Sequence, residues 1–485
     1  MRRWSGRALA VVLSLTVAAG CTAGAEKSRP HASPRPARTA AAPAGAPTLD
    51  GWSQPTADAV YPERGDPNID VGAYRLELAW SPERRTLVGT AELTVRAARS
   101  TGEARLDLAA GYAVDEVRVD GAGASSRRDG DKLVVALGRS INTGERFSVR
   151  IRYRGTPQQA PFPGSRPDVA GIGAQVMPDG GVWAMSEPYG AYTWFPCSDQ
   201  PSDKALVDVD LTVPSGWAGV SSGRLTATTD AGASRTYRYR QAEPVATYLV
   251  AFAVDRFDRI DATGPRGIPV TYWIRPRDRA ATESTVRRTP EVLAWLEARL
   301  GPYPFGSAGV VIVPSDSGME TQTMVTLGPG IGPQAVPVLA HELTHQWFGD
   351  SVTPRTWQDL WLNEGFATYL QMLFSVDRMG ASRDAALRQW RSDDAQWRAR
   401  AGPPGRFDPK YFAARNVYVG PALMLDEVRR EIGDDRFAGL LREWPQQHRH
   451  SNQDRASFVA WLNGYAGRDL KPVVDKWLDS PTTPA

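Results

Sequence analysis

Two cysteines in 485 residues, Cys21 and Cys197, exclude a disulfide framework. Histidine is nearly as scarce, with five in the chain, so any site built on imidazole must draw on very few positions. The net charge of +3 carries no signature of a nucleic-acid or acidic partner. The basic residues are almost all arginine, a bias that reflects base composition and points to no function. Beyond the first twenty residues no stretch is apolar enough to cross a bilayer. What remains is an ordinary globular composition, 42% apolar and 23% charged, in a chain long enough for two or three domains.

The first residues read as a leader. Arg2, Arg3 and Arg7 precede an apolar run from Ala8 to Ala18, closed by Ala19-Gly20-Cys21. A charged start, a short apolar core and small residues make a signal peptide over 1–21. Cysteine after Ala-Gly resembles the lipobox of bacterial lipoproteins, which implies acylation of Cys21 and a lipid anchor on the outer face of the cell membrane. Ala18 stands where that motif usually has leucine, so plain secretion stays open. Residues 22–48 are rich in Ala, Pro, Ser and Thr and cannot bury a core, so a disordered tether is expected over 22–64.

From 65 to 265 the pattern is that of strands. Tyr74, Leu76, Leu78 and Trp80 alternate with other side chains, as do Phe147, Val149, Ile151 and Tyr153, and Asp120-Gly121 and Asp129-Gly130 mark turns. This predicts an antiparallel, β-sandwich-like domain with one wet face. The period then changes. Val292, Leu293, Leu296 and Leu300 fall at helical spacing before Gly301-Pro302, 309–313 reads as a buried strand, and helices are predicted over 336–348 and 357–379. A mixed α+β domain is expected over 266–480, with a tail at 481–485.

The chemistry concentrates in His341-Glu342-Leu343-Thr344-His345, within HELTHQWFGD. On a helix this spacing puts two imidazoles one turn apart on one face, where both reach one zinc ion. Glu342 between them points beside the metal and is placed to take a proton from the attacking water. Glu364, within WLNEGFATYL, supplies a third ligand and leaves one position open. A histidine pair at this spacing is often just a solvated helix face. Here Val338, Leu339, Leu343, Trp347 and Phe348 make the helix apolar, so the imidazoles would be buried without partners unless coordinated. One zinc per chain in a two-histidine, one-glutamate hydrolytic site is the reading.

These two runs resemble the metal motif of the gluzincin aminopeptidases, the family of aminopeptidase N and the leukotriene hydrolase. WFPCSDQPSDKA (194–205) and GPYPFG (301–306) resemble two further motifs of that family, in its order, and the resemblance covers about 65–480. It implies a β domain followed by a thermolysin-like catalytic domain, and an enzyme that releases N-terminal residues from peptides with free amino termini. It also implies residue roles. Gly318-Met319-Glu320 falls on the family's Gly-x-Met-Glu-Asn run, with Thr321 for the asparagine. Glu320 would bind the substrate ammonium, Gly318 and Met319 would lie along the peptide, and Glu187 would share the ammonium. Tyr418 falls on the family's oxyanion donor, although Gly420 and Pro421 replace the Lys-Gly that follows, so a shifted register stays open. Asp199, Asp203, Asp350 and Asp359 lie near enough in sequence to orient an imidazole and are left without roles. The match ends near Trp477, which implies that the helical C-terminal domain of longer members is absent. A monomer is expected, and no nucleic-acid partner. A thermolysin-like endopeptidase and an inactive surface binding protein remain the alternatives.

Overall fold

The computed structural model describes residues 50–485. The proposed signal peptide, Cys21 and residues 22–49 of the tether lie outside the described residues. Among the described residues no helix is long and apolar enough to cross a membrane.

The first half is β structure, as the alternation predicts. Along Ile69–Ser81 the side chains of Tyr74, Leu76, Leu78 and Trp80 are buried while Arg75, Glu77 and Ala79 are exposed. Arg146–Gly155 repeats this with Phe147, Val149, Ile151 and Tyr153. Both strands belong to an eight-stranded sheet, accompanied by a five-stranded and a three-stranded sheet. Their apolar faces share one core, in which Trp194, Phe195 and Cys197 are fully buried. The Trp-Phe-Pro-Cys run is therefore structural: Trp194 stacks on Phe252 with ring centroids 4.7 Å apart.

Two features differ from the sequence reading. The large sheet is not wholly antiparallel, because Ile69–Ser81 pairs in parallel with Leu206–Pro214. The chain reaches that strand only after building the three-stranded sheet and three strands of the five-stranded one, and a return of that length can enter in either direction. Residues 50–64 also differ, since they are packed instead of forming the end of a tether. Asp58 accepts hydrogen bonds from the backbone N–H of Val60 and Tyr61 at 2.7 and 2.9 Å and of Trp357 at 2.7 Å. Ser53 Oγ donates to the Lys204 carbonyl at 2.8 Å. Composition concealed this because the docking is made by single polar side chains, not by an apolar run.

The second half carries a mixed five-stranded sheet in the order Asp258–Thr263, Pro269–Ile274, Ala308–Ile312, Val325–Leu327, Gly318–Met319. Its first strand precedes residue 265, so the sheet of the second domain starts earlier than the expected boundary. Gly318–Met319 is the edge strand, paired antiparallel with Val325–Leu327. Three helices complete the frame: a histidine helix, Ala335–His345; a glutamate helix, Trp361–Met379, closed by Gly380 in the left-handed conformation; and a tyrosine helix, Asn416–Ile432. The last two cross closely where Gly365 meets Pro421: a Cβ on Gly365 would lie 2.5 Å from Pro421 Cβ. The glycine after Glu364 thus sets how near the two helices come. The tail is packed too, with Thr483 Oγ1 donating to buried Asp394 at 2.6 Å.

Candidate active site

The histidine helix is buried on nearly all sides, and His341 and His345 stack edge to face with centroids 4.7 Å apart. The glutamate helix packs across it and brings Glu364 Oε2 to 3.1 Å from His341 Nε2 and 3.6 Å from His345 Nε2. One ligand atom from each of the three residues lies within 4.8 Å of the others.

The outer nitrogens of the two rings show that this set suits a metal. His341 Nδ1 lies 3.1 Å from Gln371 Oε1, and His345 Nδ1 lies 3.0 Å from the Phe348 carbonyl. Both partners only accept, so each ring carries its proton on Nδ1 and presents the Nε2 lone pair inward. Two inward lone pairs beside a buried carboxylate form a donor set for a small divalent cation with nitrogen and oxygen preference, such as zinc. Asp199, Asp203 and Asp359 do not orient these rings. Asp199 accepts from Tyr192 N–H and Thr247, Asp203 from Val71 N–H, and Asp359 from the Trp361 indole. Asp350 has both carboxylate oxygens buried without hydrogen-bond partners.

The three residues border a cavity of about 450 Å³ whose wall includes Glu187, Gly318, Glu320, Glu342 and Tyr418. The carboxylates of Glu187, Glu320, Glu342 and Glu364 therefore border one cavity, with Asp168 and Asp316 also in its wall. Burial works to raise Glu364, but the imidazoles of His345 and His341 together outweigh it and hold it well below the usual carboxylate range. Glu342 is pushed up to about 8 by burial, with Glu320 and Glu364 adding and His345 opposing. Burial also raises Glu187 and Glu320, helped by negative neighbours. Oε1 of Glu187 and Oε1 of Glu320 are buried without hydrogen-bond partners. Unpaired buried carboxylate oxygens are costly, and a cation entering the cavity would satisfy both.

The edge strand is fitted closely to the histidine helix. A Cβ on Gly318 would lie 2.5 Å from Glu342 Oε1, so no side chain fits between the strand and that carboxylate. Gln346 braces the strand from below: its Nε2 donates to the Glu320 carbonyl at 2.9 Å, and its Oε1 accepts from Thr323 N–H at 2.9 Å and Tyr303 Oη at 3.1 Å. The GPYPFG motif thereby acts on the site through Tyr303. Met319 differs from its neighbours. Its side chain is buried in the apolar core, where its sulfur accepts from Ser186 N–H at 3.2 Å, and it does not border the cavity.

Tyr418 stands at the start of the tyrosine helix, its ring stacked near that of His341 with centroids 6.1 Å apart. The departure after it has a local cause. A Cβ on Gly420 would lie 2.6 Å from Asp394 Oδ1 and 3.0 Å from Arg398 Nη2, so a buried ion pair fills the space a longer residue would need.

Gln371, the Phe348 carbonyl and Arg166 were not anticipated. Gln371 left a signal, since Glu364, Thr368 and Gln371 are polar residues at i, i+4 and i+7 of an apolar helix, and all three border the cavity. Arg166 left none, because it sits in a loop without periodicity.

Comparison with known proteins agrees with this arrangement. Residues 285–477 match the Peptidase family M1 domain and residues 71–249 the Peptidase M1 N-terminal domain. Glutamyl aminopeptidase of Bos taurus is 31% identical over 327 residues, covering 60% of this chain and 33% of the relative. Aminopeptidase N of Canis lupus familiaris is 31% identical over 200 residues, covering 37% of this chain and 20% of the relative. The chain thus spans about a third or less of the length of these relatives. The crystal structure of an M1 zinc metallopeptidase from Deinococcus radiodurans superposes with a TM-score of 0.81 at 28% identity, covering 89% of this chain and 99% of that one. A mutant of the Deinococcus radiodurans enzyme bound to the substrate Tyr-Ser-Ala matches with a TM-score of 0.80.

Proposed function

The chain belongs to the M1 peptidase family, and from that premise we propose that it is a zinc-dependent aminopeptidase. One observation carries the reading: a two-histidine, one-glutamate donor set shares a cavity with two buried carboxylates that have oxygens without partners. A peptide with a free amino terminus supplies the missing cation at the right end. An internal peptide bond would leave Glu187 and Glu320 desolvated and mutually repelling.

Zinc held by His341, His345 and Glu364 would supply Lewis acidity, polarising the scissile carbonyl and making water more acidic. Glu342 takes the proton of the attacking water and delivers it to the leaving amine. The Tyr418 hydroxyl donates to the carbonyl oxygen as charge develops there. Glu320 and Glu187 hold the ammonium, and the free edge at Gly318–Met319 accepts the substrate backbone as a further strand. The likeness to a structure bound to Tyr-Ser-Ala supports peptide as substrate. The signal-like start and Cys21 support export with a lipid anchor. The two stretches matching M1 domains support a β domain near 65–265 and a catalytic domain near 266–480.

Turnover of paired peptides with free and acetylated N-termini, with and without chelator, tests the proposal. Chelator-sensitive cleavage confined to the free form is expected. Efficient cleavage of the acetylated form would favour the endopeptidase, and no cleavage by zinc-replete protein would favour a binding protein.

A further inference from the structure

The loop joining the strands Ala160–Pro161 and Gly171–Val176 brings a β-domain arginine to the catalytic cavity. Arg166 is held there on three sides. Its Nε and Nη2 fork onto Asp168 at 3.2 and 2.5 Å, and Nη2 also donates to Ser317 Oγ at 3.0 Å. That leaves Nη1, which donates to the Tyr418 hydroxyl at 3.1 Å.

The consequence follows from the inventory of protons. A guanidinium is donor only, whereas a phenol has one proton and lone pairs that accept. Against Arg166 the Tyr418 oxygen can only accept, so its own proton must point elsewhere. Among the described residues the hydroxyl has no acceptor, and the open direction is the cavity beside His341. We propose that Arg166 is a positioning residue that turns the Tyr418 proton into the cleft, so that the β domain completes the oxyanion donor of the catalytic domain. This rests on the reading of Tyr418 as that donor. An arginine in a peptide cleft also suggests capture of the substrate carboxylate. Here the bidentate face of the guanidinium is already taken by Asp168, and that pair is close to neutral.

The test is a double-mutant cycle on zinc-replete enzyme, using an aminoacyl-amide reporter that has no carboxylate. Tyr418→Phe is expected to lower kcat by about 10²–10³. Arg166→Gln, which introduces an acceptor for the phenolic proton, should lower kcat at least about tenfold and leave KM within about threefold. In the Tyr418→Phe background Arg166→Gln should cost no more than about twofold, because there is no proton left to orient. Arg166→Lys, still donor only, should retain more activity than Arg166→Gln at the same melting temperature. Affinity for a phosphinic dipeptide, whose oxygen mimics the developing charge, should fall in parallel with kcat/KM. Multiplying effects in the double variant would overturn the proposal, as would a loss seen only on peptides with a free carboxylate. Full kcat in Tyr418→Phe would overturn the reading of Tyr418 and this inference with it.

Discussion

The least forgiving atom position in the cavity is Gly318. Its backbone is extended and paired with Leu327, so alanine is conformationally admissible. The added methyl would lie 2.5 Å from Glu342 Oε1 and 3.0 Å from Leu327 Cδ2. Ordinary contact begins near 3.4 Å, so the carboxylate must retreat by about 1 Å. The moving atom is the end of a flexible side chain, which makes the displacement cheap for folding. Loss of glycine's freedom in the unfolded chain adds about 0.4–1 kcal/mol of stability in compensation. Catalysis is less tolerant. A misplacement of about 1 Å costs about 10² in rate, equivalent to about 2.7 kcal/mol of transition-state stabilisation. Gly318→Ala should therefore melt within a few degrees of wild type, with kcat down about 100-fold and KM little changed on an aminoacyl-amide reporter. A kcat within about threefold of wild type would show that Glu342 does not act from this position. A rise in KM with kcat intact would show that the methyl blocks the substrate strand instead.

Glu320→Gln keeps the shape of the ammonium site and removes half its charge. A charge-assisted hydrogen bond is worth about 1.5–3 kcal/mol, so KM for free-amino peptides should rise about 10–100-fold, and an unchanged KM would remove Glu320 from that site. Gln371→Leu should weaken zinc binding about 10–100-fold by freeing the His341 ring, read by competition with a chromophoric chelator; undiminished affinity would deny Gln371 this role. Lys204 is buried, with Nζ donating to the Asp350 and Ser351 carbonyls at 2.6 and 3.1 Å, and burial lowers it to about 7, Asp350 opposing. Between that value and its ordinary one the unfolded chain binds the extra proton, so the stability lysine contributes grows as pH rises. The difference in unfolding free energy between wild type and Lys204→Met should therefore shift in favour of wild type by up to about 1.4 kcal/mol per pH unit above 7, and a flat difference would refute the depressed value.

The metal donors were legible because helical geometry is local. Two histidines four apart on an apolar helix must share a face, and their burial demands a partner. The β pattern of 65–265 was legible for the same reason, since alternation is fixed by the pleat. Residues 50–64 were misread because Asp58 and Ser53 anchor them through hydrogen bonds to segments far along the chain. The parallel pairing of Ile69–Ser81 with Leu206–Pro214 was missed because alternation says which face is buried but not which strand lies alongside.

Sequence by itself determined that His341 and His345 share one helix face with Glu342 between them, and the layered plan of strands followed by helices, since each depends on spacings of a few residues. Only the tertiary structure decided that Gln371 and the Phe348 carbonyl aim the imidazoles, that Gly318 leaves room for Glu342, and that Arg166 touches Tyr418. Apart from the Phe348 carbonyl, three residues from His345, those relations join segments tens to hundreds of residues apart, and no local periodicity encodes which distant loop arrives beside which side chain.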